Sequence, residues 1–87
     1  MAVKIRVFGK VQGVFYRATT KTVAEDLGLT GWVKNEADGS VSIIAQGERV
    51  SELVEWTNNG PQFARVDRQE VEEVPDSSEY KTFEIRR

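Results

Sequence analysis

The stretch GKVQGVFYR (Gly9–Arg17) lies between a run with the alternation of a β-strand and a run with the periodicity of an α-helix. Gly9 and Gly13 allow a tight turn and bring backbone N–H groups close to a ligand. The helix that follows adds unpaired N–H donors and the positive end of its dipole. Arg17 adds a planar, permanently charged guanidinium that suits a phosphate or a carboxylate. The stretch predicts an anion-binding loop, and the alternative is a plain turn with a solvated arginine.

The segments on either side of this loop predict a strand and a helix. From Ala2 to Phe8, apolar and charged residues alternate, which is the period of a half-buried strand. From Tyr16 to Leu27, apolar residues recur at helical spacing, and Gly28 is placed to end the helix. The fold therefore begins with a strand, a glycine-rich turn and a helix.

The middle of the chain predicts a hairpin and a second helix. Leu29–Asn35 and Val41–Gln46 are rich in strand-forming residues, and the Asp38-Gly39 pair between them is a strong hairpin signal. From Glu48 to Asn58 the apolar positions lie one helical turn apart, and Gly60-Pro61 stops the pattern.

The last third of the chain predicts two more strands. Arg65–Val74 is strand-like, but Val66 and Val71 are out of phase for simple alternation unless a β-bulge lies between them. We expect a polar loop from Glu72 to Glu79 and a short strand from Tyr80 to Arg87. This order predicts an α+β, ferredoxin-like split βαβ sandwich. Two helices should pack on one face of a mainly antiparallel sheet, in a single domain of residues 1–87.

The composition excludes several kinds of chemistry. The chain has no cysteine and no histidine, so it lacks thiolate and Ser-His nucleophiles and the commonest zinc ligands. We expect no metal and no cofactor.

A net charge of -2 offers no general attraction for nucleic acid or an anionic membrane. The first residues contain no uninterrupted apolar segment, so neither a secretory signal nor a membrane span is predicted. We expect a cytoplasmic monomer.

A second polar residue stands out in the stretch GWVKNEADGSV (Gly31–Val41). The Asn35 side chain carries an acceptor and a donor on a short arm, which suits orienting one water molecule. The alternative is that Asn35 and Asp38 only serve the hairpin. Side-chain chemistry alone favours that alternative.

Together the two stretches resemble the acylphosphatase family. The family's first motif, a strand followed by Gly-x-Val-Gln-Gly-Val-x-(Phe or Met)-Arg, is matched from Gly9 to Arg17, with Tyr16 as a departure at the aromatic position. Its second motif, Gly-aromatic-Val-x-Asn-x-x-x-Gly-x-Val with a later glycine, is matched from Gly31 to Val41 and at Gly47. Further similar features are Gly60-Pro61, Ala64–Val66 and Tyr80–Ile85. The resemblance spans nearly the whole chain.

The resemblance implies metal-independent hydrolysis of acyl phosphates, the mixed anhydrides of a carboxylic acid and phosphate. Inorganic phosphate is then a product and an inhibitor. It also implies that Arg17 holds the phosphoryl group together with backbone N–H groups, and that Asn35 positions the attacking water. The N–H groups concerned are those of Gly13, Val14, Phe15 and Tyr16. Because phosphoryl transfer mainly needs positioning and charge stabilisation, the lack of histidine is no obstacle.

The main alternative is a non-catalytic ferredoxin-like module that binds RNA or a small ligand, since one fold serves many functions. An RNA-binding sheet would carry aromatic residues on its central strands and a basic surface. The strand Val41–Ala45 has no aromatic residue, and the isoelectric point is about 5.1. A second alternative is an acylphosphatase-like module without activity, which the presence of Arg17 and Asn35 disfavours.

Other residues near the two stretches carry weaker signals. Trp32 and Phe15 are expected to frame or pack the site. Lys10 is expected to be an exposed turn residue. The acidic segment 70–79 has no ligand spacing for a cation and is expected to form a solvated sheet edge.

Overall fold

Five strands form one sheet in this computed structural model, which describes all 87 residues, Met1–Arg87. The elements are β1 (Ala2–Lys10), α1 (Tyr16–Asp26), β2 (Thr30–Asn35), β3 (Val41–Gln46), α2 (Val50–Thr57), β4 (Arg65–Val74) and β5 (Phe83–Arg86). The strand order is β4-β1-β3-β2-β5. Only β2 and β5 are parallel, and the other neighbours are antiparallel. The predicted ferredoxin-like sandwich is confirmed.

The core lies between one face of the sheet and the two helices. Ile5, Ile43 and Val33 form one row across three strands, and all three are fully buried. Burying a side chain of this size stabilises the fold by about 1.5–3 kcal/mol. The helices add the apolar positions that their periodicity predicted, including Tyr16, Ala24, Val50 and Leu53.

β4 contains the predicted bulge. Its pairing with β1 shifts at Asp67, which has no partner across the ladder. Because of this extra residue, Val66 pairs with Gly9 and Val71 pairs with Ile5. Gly9 and Ile5 are an even number of positions apart on β1, so the two valines point to the same face of the sheet.

The two largest differences from the predicted boundaries are of three residues each, and in both cases strand pairing explains the difference. β4 continues to Val74, where it pairs with Ala2, so the loop starts at Pro75 and not at Glu72. β5 starts at Phe83, and not at Tyr80, since its pairing with β2 starts at Gly31. Neither helix is long and apolar enough to cross a membrane.

Candidate active site

The loop between β1 and α1 has a backbone that few residues adopt. Gly13 and Phe15 both have left-handed dihedrals, with φ of 74° and 62°. This conformation is free of strain for glycine but costs about 1–2 kcal/mol for phenylalanine. The Phe15 side chain is 77% exposed, so burial of its ring does not offset that cost. Strain of this kind is concentrated at ligand-binding sites.

The backbone N–H groups of this loop are unpaired. Those of Gly13, Val14 and Phe15 donate no hydrogen bond within the protein. The first N–H after them with a partner is that of Thr19, which donates to the Phe15 carbonyl at 3.0 Å. No side chain caps the N-terminus of α1, and its first turn contains no acidic residue. The loop therefore offers several free donors beside the positive end of a helix dipole, which suits an anion.

One cleft of about 300 Å³ lies between this loop, α1 and the ends of β2 and β5. It brings together most of the residues that the sequence predicted for the site: Gly13, Phe15, Tyr16, Arg17 and Asn35. Val14 does not line the cleft, because its side chain is buried in the core. Any contribution of Val14 is therefore limited to its backbone.

The side chains of Arg17 and Asn35 are both half-buried, and neither has a hydrogen-bond or ion-pair partner in the protein. The Arg17 guanidinium belongs to none of the ion pairs of the structure. The Asn35 Oδ1 atom is buried without a hydrogen-bond partner. An unpaired buried acceptor costs about 1–3 kcal/mol, so such atoms are rare in native structures. A buried acceptor without a partner beside an unpaired guanidinium is typical of a binding site.

Gln12 ties the β1–α1 loop to the hairpin between β2 and β3. Its Nε2 atom donates to the Glu36 carbonyl and to the Ser40 carbonyl, each at 2.8 Å. Glu36 directly follows Asn35, so these two bonds fix the loop relative to Asn35. The sequence motif contains Gln12, but nothing in it indicates that the hairpin carbonyls lie within reach of the side chain.

Asp38 and Ser40 shape the hairpin turn. The Ser40 N–H and hydroxyl donate to Asp38 Oδ1 at 2.9 and 2.6 Å. Arg6 donates to Asp38 Oδ2 at 2.8 Å and to Ser40 Oγ at 2.9 Å. The bonds from Ser40, with a smaller contribution from Arg6, hold the pKa of the Asp38 carboxyl below its ordinary value. Asp38 serves the hairpin and does not line the cleft.

Tyr16 anchors the first turn of α1. Its hydroxyl donates to the Thr57 carbonyl at 2.6 Å, and its ring packs 5.8 Å from the Trp56 ring. Burial raises the pKa of the Tyr16 hydroxyl. The tyrosine at this motif position is therefore accommodated by an acceptor on α2.

Trp32 does not frame the site, contrary to expectation. Its neighbour Val33 faces the helices, so Trp32 points to the opposite face of the sheet. There the Arg86 guanidinium lies over the Trp32 ring at 5.1 Å. Lys10 is exposed and does not line the cleft.

A second depression, of about 230 Å³, lies beside β1 and β4. Lys4 pairs with Glu72 and Arg6 with Glu70 across the two strands. These four side chains, with Val71, line the depression. Because basic and acidic residues face each other there, this surface has no excess of positive charge for an anion.

Several known proteins that are similar to this chain in sequence and fold are acylphosphatases. The family model described as Acylphosphatase matches residues 3–85. An acylphosphatase of Rubrobacter xylanophilus is 49% identical in an alignment of 86 residues that covers 97% of this chain and 78% of the relative. The crystal structure of acylphosphatase from Bacillus subtilis has a TM-score of 0.93 at 35% identity, covering 99% of this chain and 98% of that one. An acylphosphatase structure from Coxiella burnetii has a TM-score of 0.92 at 42% identity, covering 98% and 90%.

Proposed function

The chain belongs to the acylphosphatase family, and on that premise we propose that it hydrolyses acyl phosphates in the cleft between the β1–α1 loop and Asn35. The observation that carries the proposal is the meeting, in this cleft, of three groups that have no partner within the protein. These are the free N–H groups of the loop, the unpaired Arg17 guanidinium and the Asn35 amide. Two of them suit a phosphoryl group, and the third suits a water molecule.

The loop and Arg17 bind the phosphoryl group. Its equatorial oxygens accept hydrogen bonds from the N–H groups of Gly13, Val14, Phe15 and Tyr16. Arg17 donates two further bonds from its fork, which matches two oxygens of one phosphate. These donors are in place before the reaction, so they stabilise the charge that spreads over the oxygens in the transition state.

Asn35 positions the water that attacks phosphorus. A half-turn of its terminal amide presents either the oxygen or the nitrogen to the cleft, so the side chain is able to accept a hydrogen bond from the water. The water oxygen forms a bond to phosphorus, and the bond from phosphorus to the acyl oxygen breaks. The electron pair leaves with the carboxylate, which is a good leaving group. Both protons of the water remain on the phosphate product, so the step needs no general base.

The test is hydrolysis of a simple acyl phosphate, such as benzoyl phosphate, by the purified protein in the presence of a chelator. We expect turnover that phosphate inhibits competitively. Arg17→Ala should lower kcat/KM by about 10²–10³-fold, and Arg17→Lys should remain poor because an ammonium lacks the fork. Asn35→Ala should lower kcat far more than it weakens phosphate inhibition. Arg49→Ala, in an exposed pair with Glu52 on α2, serves as the control.

Wild-type turnover no faster than spontaneous hydrolysis would show that the chain is not a hydrolase of this kind. An Asn35→Ala variant with wild-type kcat would remove the water-positioning role and leave the phosphate-binding role intact.

A further inference from the structure

Arg87 lines the same cleft as Arg17 and Asn35. It directly follows β5, whose parallel ladder with β2 pairs Lys34 with Arg86. One further step along the same register places Arg87 beside Asn35. Neighbouring strands lie about 4.8 Å apart, so the two residues lie side by side at the end of the sheet. Alternation along the strands directs both to the face that α1 covers.

The charged side chains that line the cleft are all positive. Arg17 and Arg87 are its only ionisable side chains apart from the Tyr16 hydroxyl, and no acidic residue lines it. Arg87, like Arg17, takes part in no ion pair. The remaining walls include Val11, Ile85 and the Phe15 ring. Apolar walls exclude water and so strengthen the attraction between a guanidinium and an anion.

The charge of a phosphoryl group exceeds what Arg17 balances. A phosphate ester carries about 1.5 to 2 negative charges at neutral pH, and one guanidinium supplies a single positive charge. Arg87 is the other cation at the cleft, and it lies beside the residue proposed to hold the attacking water. In a reactive arrangement the water is about 3–3.5 Å from phosphorus. A long side chain next to Asn35 is therefore within reach of the phosphoryl oxygens.

We infer that Arg87 is a second phosphoryl-binding residue, which contacts the oxygens of the substrate on the β5 side of the cleft, across from Arg17. The inference rests on the proposed function, since it assigns a further residue to the same site. Because Arg87 is exposed, its contribution is smaller than that of Arg17 and is weakened by salt.

The experiment compares Arg87→Gln, Arg87→Lys and Arg86→Gln with the wild type. Arg86 is the matched control, since it has the same charge one position earlier and points to the other face, over Trp32. One readout is the dissociation constant of phosphate, measured by NMR titration. The other is kcat/KM for two substrates: benzoyl phosphate, and an acyl phosphate whose acyl group carries a carboxylate. Arg87→Gln should weaken phosphate binding by about 5–10-fold at low salt and less at high salt. It should lower kcat/KM for both substrates alike. Arg87→Lys should recover part of the loss, and Arg86→Gln should change phosphate binding by less than about twofold.

Three outcomes overturn the inference. The first is phosphate binding by Arg87→Gln within twofold of the wild type. The second is an equal loss in Arg86→Gln, which would indicate a general effect of net charge. The third is a loss confined to the substrate with the charged acyl group, which would place Arg87 against the acyl part. Failure of the proposed function looks different, because then the wild type itself shows no turnover, or Arg17→Ala binds phosphate as the wild type does.

Discussion

Replacing Gln12 with methionine removes the two hydrogen bonds that tie the β1–α1 loop to the hairpin, while the length of the side chain is kept. Both acceptors retain another partner. The Glu36 carbonyl accepts from the Gly39 N–H at 3.2 Å, and the Ser40 carbonyl accepts from the Glu36 N–H at 2.8 Å. No buried carbonyl is left without a donor. The cost is therefore that of two ordinary hydrogen bonds, about 1–3 kcal/mol of the free energy of unfolding.

The effect of Gln12→Met on turnover should exceed its effect on phosphate binding. The main phosphoryl-binding groups, the N–H groups of residues 13–16 and Arg17, lie on the β1–α1 loop and in the first turn of α1, whereas Asn35 lies on β2. Loosening the loop therefore changes the distance between the bound phosphoryl group and the water, but it leaves the anion contacts together. A displacement of about 1 Å can cost about 100-fold in rate. We expect kcat to fall by about 10–100-fold, and the phosphate inhibition constant to change by less than about threefold.

The assay is steady-state hydrolysis of benzoyl phosphate with and without phosphate, together with thermal unfolding. Gln46→Met is the matched control, because the Gln46 side chain also clamps a backbone: it donates to the Ser77 carbonyl at 2.7 Å and accepts from the Ser77 N–H at 2.9 Å. Gln46 does not line the cleft. The control should lose comparable stability and keep its kcat. If Gln12→Met also keeps its kcat within twofold while losing stability, Gln12 is structural and does not position the site.

Three further substitutions test the fold around the site. Gly9→Ala should destabilise the protein by about 3 kcal/mol in denaturant unfolding, since φ is 131° and the added Cβ would lie 2.2 Å from the Arg65 carbonyl oxygen; a loss below 1 kcal/mol would contradict this. Tyr16→Phe should cost about 1–2 kcal/mol, because the buried Thr57 carbonyl loses its donor; equal unfolding midpoints would contradict it. Asp38→Asn should be less stable than the wild type at pH 7. The pKa of the Asp38 carboxyl is lowered in the folded state. The stability that the ionised carboxylate contributes is therefore present above about pH 4 and is lost as pH falls through the folded-state pKa. The unfolding temperatures of the wild type and Asp38→Asn should converge once the pH is below the folded-state pKa. A constant difference between them from pH 7 to pH 2 would argue against a stabilising role of the Asp38 carboxylate.

The elements of the fold could be predicted from local patterns. Alternation in β1, helical spacing in α1 and the Asp38-Gly39 turn each specify one element without reference to the rest of the chain. The bulge in β4 could also be predicted, because Val66 and Val71 reach the same face only if one extra residue lies between them. Not every strand end could be predicted in the same way. The strand-like pattern predicts the end of β4 at Val74, whereas the start of β5 at Phe83 is set by pairing with β2, which the local sequence does not show.

The local sequence predicts the candidate site where one motif holds both the donors and the charge, as in Gly13–Arg17. It does not predict contacts that cross between distant segments. The two carbonyls that Gln12 contacts belong to the hairpin, and the place of Arg87 beside Asn35 depends on the parallel register of β2 and β5. Phe15 shows a different limit, because the sequence gives no reason to expect φ of 62° at a residue other than glycine. Trp32 lies close to Asn35 in the sequence, but alternation along β2 directs it to the opposite face of the sheet, away from the cleft.

A crystal structure with bound phosphate tests the central claim most directly. We predict one phosphate ion in the cleft, with its oxygens about 2.7–3.1 Å from the N–H groups of residues 13–16 and from the Arg17 guanidinium. A water molecule should lie between the ion and the Asn35 side chain. Phosphate bound instead between Lys4 and Arg6, with the N–H groups of residues 13–16 facing solvent, would contradict the account.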